Sequence, residues 1–213
     1  MVRLSARRTR LPGSLLLLGL VTAFADFQRV YPAAESVDGV ADSATQPLRG
    51  NFNQLRKLKA GHPRLRTLIS LGGFTWSRFF SNAALTPASR RQFAQSCIDL
   101  YLKGNLPRLA DDPSAGGVGV GAGVFDGIDI DWEYPAAEGA AGNVVRPEDT
   151  RNFTLLLAEL RRQLDALGRR DHRNYLLTAA LPAGFDKIAK IEIGGINRSL
   201  DWLNLLTYDF HGP

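Results

Sequence analysis

Cysteine occurs once in 213 residues, as Cys97, so no internal disulfide can form and zinc sites built on several thiolates are excluded. Cys97 sits in the amphipathic run Gln95-Ser96-Cys97-Ile98, where a small, buried, inert thiol is expected. Histidine is also scarce. His62, His172 and His211 show no metal-ligand spacing, and neither a metal nor a cofactor is assigned. Long hydrophobic runs are missing too: Leu15 to Leu20 is too short to cross a bilayer. The formal charge of +5 comes largely from Arg3, Arg7, Arg8 and Arg10 at the start and from scattered helix-face residues such as Arg161 and Arg162. Without interleaved aromatics these read as solvated faces and not as a nucleic-acid surface.

With 45% hydrophobic and 22% charged residues, the chain can bury a substantial core as one domain. Five apolar runs predict strands: Leu18 to Phe27, Leu65 to Leu71, Gly127 to Glu133, Tyr175 to Leu181 and Trp202 to Phe210. Helical patterns lie between several of them, over Asn51 to Leu58, Pro87 to Leu102 with Thr86 as N-cap, and Pro147 to Leu167 closed by Gly168. Strands alternating with helices predict parallel pairing and an α/β fold. Pro107 to Gly123 and Ala136 to Gly142 read as loops. The start has two exclusive readings. Basic residues, Leu15 to Leu20 and then Ala23-Phe24-Ala25 have the form of a secretory signal, whereas Leu18 to Phe27 also fits a buried strand, the reading preferred here.

The strongest signal is Asp126-Gly127-Ile128-Asp129-Ile130-Asp131-Trp132-Glu133-Tyr134-Pro135. In an extended chain Asp129, Asp131 and Glu133 share one face, and Ile128, Ile130 and Trp132 share the other. Carboxylates spaced roughly 6.6 Å apart along a strand are a poor structural choice, because like charges and desolvation both oppose ionisation. A glycosidase needs that arrangement, since one carboxylic acid must keep its proton to donate to a leaving oxygen. A hard-cation site and an acidic edge strand are the alternatives. The first has no calcium-loop turn here, and the second leaves Trp132 and the isoleucines unexplained.

These residues carry a resemblance. Asp126 to Pro135 resembles the D-x-x-D-x-D-x-E signature of glycoside hydrolase family 18, the chitinase family. Ser70-Leu71-Gly72-Gly73 is similar to its S-x-G-G, and Leu206-Thr207-Tyr208-Asp209 to its M-x-Y-D, with leucine in place of methionine. The resemblance implies an incomplete (β/α)₈ TIM barrel covering about strands two to six, with residues 18–213 as a partial catalytic domain and 1–17 as a signal-like or truncated segment.

It further implies that Glu133 is the acid, that Asp131 orients the substrate's acetamido group, and that Asp129 sits behind it with help from Ser70. Tyr208 would donate to the acetamido carbonyl, and Asp209 would line the same subsite. Asp126, Gly72 and Gly73 would be structural. Phe74 and Trp76, just after Gly73, are candidate sugar-stacking residues, with core or loop packing an equal alternative. Trp132 and Trp202 read as structural. The implied substrate is chitin or its N-acetylglucosamine oligosaccharides, and the implied setting for the parent enzyme is extracellular. Within the same class stands an endo-β-N-acetylglucosaminidase; outside it stand a non-catalytic chitin-oligosaccharide-binding relative and an inactive remnant. Strands one, seven and eight have no counterpart, so poor stability and inactivity of the chain by itself are expected.

Overall fold

The computed structural model describes residues 2–4, 26–108, 110 and 112–208. Most of the expected strand Leu18 to Phe27, with the signal-like segment, lies outside the described residues; Asp26 and Phe27 are irregular. Five strands form one sheet in chain order: β1 (Val2–Leu4), β2 (Thr67–Gly72), β3 (Gly127–Asp131), β4 (Leu176–Pro182) and β5 (Trp202–Leu206). β4 and β5 run parallel, as alternation with helices predicts. β1 departs from that expectation, pairing antiparallel with β2 through Val2 opposite Ile69 and Leu4 opposite Thr67.

The chain falls into two compact units, Met1–Ile69 with Cys97–Gly127, and Ser70–Ser96 with Ile128–Pro213. In the first, helix α1 (Gly50–Gly61) buries Phe52 and Leu55. The Phe52 ring meets the edge of Phe125 at 5.0 Å between centroids. Asp126, just before β3, is buried and fully engaged: its carboxylate accepts from Lys59 Nζ (2.6 Å), Arg66 Nη1 (3.2 Å) and the Thr67 N–H (3.0 Å). Its own N–H donates to Thr67 O at 2.7 Å. These bonds anchor Asp126 at the entry to the strand.

In the second unit the apolar face of β3 is covered as its alternation requires. Ile128 and Ile130 are fully buried, and Trp132 stacks on Phe80 at 5.6 Å and meets the edge of Phe153 at 5.8 Å. Phe80 belongs to α2 (Phe80–Leu85), a helix too short to show a period in the sequence. Helix α3 (Pro87–Cys97) begins as expected: Thr86 Oγ1 accepts the Ser89 N–H and Ser89 Oγ accepts the Thr86 N–H, both at 3.0 Å. It does not continue regularly to Leu102, because Ile98–Leu102 widens into a π-turn in which the Lys103 N–H reaches Ile98 O.

The longest helix, α4 (Asp149–Asp171), buries Phe153, Leu156, Leu157, Leu160, Leu164 and Leu167 along one stripe at three- and four-residue spacing. Asp149 fastens its start by accepting from the Arg146 N–H (2.8 Å) and Ser81 Oγ (2.9 Å). Gly168 does not close it. The helix runs on to Asp171 and stops where His172 turns left-handed at φ 52°, with the Arg173 N–H donating to Gly168 O. Arg169 and Arg170 in the last turn suit the negative end of the helix dipole. Two further short helices, α5 (Phe185–Ile188) and α6 (Ile193–Ile196), follow β4.

Just past α4, the Tyr175 hydroxyl donates to Asp171 Oδ2 at 2.8 Å. Burial, and then that hydrogen bond, push its phenol up to about 12. The protonated phenol therefore contributes stability that is complete below the ordinary tyrosine value of about 10 and is lost as the pH rises through about 12. Tyr175→Phe is expected to lose less stability than wild type between about pH 9 and about pH 12, measured by urea unfolding; equal losses would contradict the assignment.

Candidate active site

β3 presents its odd-numbered carboxylates to a polar setting that its neighbours build. Asp129 is buried and accepts from three side chains on three strands: Ser70 Oγ of β2 to Oδ2 (2.6 Å), Thr178 Oγ1 of β4 to Oδ1 (2.5 Å), and Asn204 Nδ2 of β5 to Oδ1 (3.0 Å). Asn204 is itself oriented, since its Oδ1 accepts from Trp202 Nε1 at 3.2 Å. Thr178 and Asn204 face the same way because β4 and β5 pair Thr178 with Trp202 and Ala180 with Asn204. Period-two alternation then puts Thr178, Ala180, Trp202 and Asn204 on one face.

Asp131 is wholly buried at the end of β3, one step towards the acid. The extended run expected to reach Glu133 stops at Asp131 as a strand, and Glu133 stands half-buried beyond the sheet edge. Gly72 and Gly73 make the turn opposite. Both hold positive φ (112° and 99°), the Gly73 N–H donates to Asp131 O at 2.8 Å, and a Cβ on Gly72 would strike the Asp131 backbone and the Phe80 ring. Only glycine fits there.

Tyr134, not singled out in the sequence, adjoins the acid. Burial raises its phenol well above the ordinary tyrosine value, followed by a hydrogen bond to the Glu133 side chain and the charges of Glu133, Asp131 and Tyr208. Tyr208, exposed to solvent, thus lies within electrostatic reach of Tyr134. Phe74 is 47% and Trp76 71% exposed on the loop after β2, which takes them out of the core and leaves their rings open to solvent. Trp132 is buried, as expected of a structural residue, and Trp202 is half-buried. Asp209 lies outside the described residues. Among the described residues no group of three His, Cys, Asp or Glu side chains is placed to hold a metal ion, and no helix is long and apolar enough to cross a membrane.

Sequence reading missed Thr178 and Asn204, although a signal exists for each. Both interrupt apolar runs, Leu176-Leu177-Thr178-Ala179-Ala180 and Trp202-Leu203-Asn204-Leu205-Leu206, and a polar residue inside a buried strand needs a partner. Thr178→Val keeps the shape and removes a donor from a buried carboxylate. It is expected to destabilise the chain by about 2 kcal/mol in denaturant unfolding, and an unchanged midpoint would show that the bond is dispensable.

Residues 5–213 match the family described as Glycosyl hydrolases family 18. The chain is 45% identical over 171 residues to Chitinase A1 of Niallia circulans, covering 80% of this chain and 22% of that protein. It is 42% identical over 193 residues to Chitinase C of Streptomyces lividans, covering 89% and 27%. It thus spans about a quarter of the length of these relatives. Among solved structures, the catalytic domain of psychrophilic chitinase B from Arthrobacter TAD20 aligns with a TM-score of 0.84 at 50% identity, over 89% of this chain and 44% of that one. The fold is therefore α/β, with the strand and helix alternation of part of a (β/α)₈ barrel. On the match along nearly its whole length, and with the acidic strand intact, the chain belongs to glycosyl hydrolases family 18.

Proposed function

We propose that this chain carries the proton donor and the acetamido-orienting residues of a chitinase, which hydrolyses β-1,4 bonds between N-acetylglucosamine units with net retention. The observation that carries this reading is the row Asp129, Asp131 and Glu133, two buried carboxylates leading to a half-buried third. No structural need explains such a row, because each buried carboxylate loses hydration. Chitinase relatives of similar sequence support the substrate class.

In this mechanism Glu133 protonates the glycosidic oxygen while the carbonyl oxygen of the substrate's own 2-acetamido group attacks the anomeric carbon. The bond to the leaving sugar breaks and a cyclic oxazolinium ion forms. Asp131 accepts a hydrogen bond from the acetamido N–H, which orients the nucleophile and stabilises the positive charge growing on it. Asp129, held by Ser70, Thr178 and Asn204, stands behind Asp131 and limits how it can turn. The Tyr208 hydroxyl donates to the acetamido carbonyl. Glu133, now a carboxylate, takes a proton from water as that water opens the oxazolinium from the face the leaving sugar vacated, opposite the acetamido oxygen, and the acid is restored.

Phe74 and Trp76 offer exposed aromatic faces after β2 on which pyranose rings can stack. Asp209 is assigned to the acetamido subsite on the motif alone. A polymer of this size is met outside the cell, which supports an extracellular setting for the parent enzyme. The acid, the aspartates and the substrate's acetamido group complete the chemistry without a cofactor.

Hydrolysis of chitin oligosaccharide, whose sugar leaving group needs the acid, by this chain and by a longer polypeptide containing it, tests the proposal. Glu133→Gln is expected to lower kcat by at least about 10²- to 10⁴-fold with little change in substrate binding. Binding of chitin oligosaccharides by wild type with no hydrolysis in either polypeptide would overturn the enzymatic reading in favour of a glycan-binding protein. Hydrolysis that survives Glu133→Gln would remove Glu133 from the role of acid.

A further inference from the structure

The backbone of Glu133 is held at both its N–H and its C=O by side chains that neither the motif nor the mechanism uses. Ser77, wholly buried in the loop between β2 and α2, accepts the Glu133 N–H at 2.8 Å. Its own proton lies between two carbonyls, Gly73 O at 2.9 Å and Asp131 O at 3.2 Å. One hydroxyl thus ties the turn after β2 to the end of β3 and to the residue carrying the acid. On the other side, Asn143 Nδ2 donates to Glu133 O at 2.9 Å from the loop between β3 and α4.

That loop is itself fastened. The Asn143 N–H donates to Ala140 O at 3.1 Å, and the Val144 N–H to Arg78 O at 3.1 Å, next to Ser77 in sequence. Gly139 is closed in at the same place: a Cβ there would lie 3.0 Å from Asn143 Nδ2 and against the Glu133 carbonyl. Glu133 has left the strand by this point, so no ladder hydrogen bond of the sheet fixes its backbone. Ser77 and Asn143 replace the ladder, one satisfying the N–H and the other the C=O.

We infer that Ser77 and Asn143 are positioning residues that clamp the Glu133 backbone at its N–H and its C=O and so set the reach of its carboxyl group towards the glycosidic oxygen. The inference rests on the reading of Glu133 as the acid. A carboxyl displaced by a fraction of an ångström donates late to a poor leaving group, whereas a leaving group that departs without a proton is indifferent to the displacement.

The test compares chitin oligosaccharide, whose sugar leaving group needs the acid, with a dinitrophenyl chitobioside, whose leaving group does not, in the intact protein. Asn143→Asp keeps the shape and loses the donor to Glu133 O; Ser77→Ala loses the acceptor of the Glu133 N–H. Each is expected to lower kcat on the oligosaccharide by about 10- to 100-fold and on the dinitrophenyl substrate by less than about 3-fold, with KM little changed. Partial unfolding would lower both substrates in the same ratio, so the ratio reports positioning. If Ser77→Ala fails to fold, Asn143→Asp, on a half-buried loop, carries the test. Equal losses on the two substrates, or none, beside a Glu133→Gln variant inactive on the oligosaccharide, would overturn the clamp alone. A Glu133→Gln variant fully active on the oligosaccharide would overturn the reading of the acid and the clamp with it.

Discussion

A carboxylate buried in a β-sheet must be given back the hydrogen bonds it loses from water, and Asp129 is given three, one from each of β2, β4 and β5. Much of the second unit follows from that requirement. β4 and β5 must bring Thr178 and Asn204 to the same face, which their register does. A slip of one residue in either strand would turn its donor to the opposite face. Trp202 then finds its place beside Asn204, donating its indole N–H to the amide oxygen. The donors specify the register of the sheet as well as the orientation of the Asp129 carboxylate.

The opposite face of β3 supplies the energy to hold this polar arrangement. Ile128, Ile130 and Trp132 are buried, with Trp132 gripped between Phe80 of α2 and Phe153 of α4. Apolar burial on one side thus offsets the desolvation of two carboxylates on the other. The same parity explains Asp126. It stands off the acidic row, in the first unit, where Lys59, Arg66 and the Thr67 N–H neutralise it and fasten the chain as it enters the strand.

The acidic row and the covered isoleucines were legible in the sequence because each depends on residues close together in the chain. Four of the five strands and the three longer helices were legible for the same reason, as periodicities. Their ends were not. α4 passes through Gly168 because its packing stripe continues to Leu167 and its stop is set by the left-handed His172, and α3 opens into a π-turn that no pattern announces. Thr178, Asn204, Ser77 and Asn143 escaped notice because their partners lie between 10 and 75 residues away, and pairing at that range depends on register and loop geometry. The antiparallel pairing of Val2–Leu4 with β2 was equally out of reach, since alternation of strands and helices predicts parallel neighbours.

The central claim is that the row on β3 acts through the acetamido group of the substrate, with Asp131 orienting it and Glu133 serving as acid and then base. The anomeric configuration of the first-formed product reports that directly. Proton NMR of chitin oligosaccharide hydrolysis, recorded before mutarotation, is expected to show the β-anomer appearing first, because the acetamido oxygen and then water attack from opposite faces in turn. First appearance of the α-anomer would mean a single displacement by water and would contradict the account.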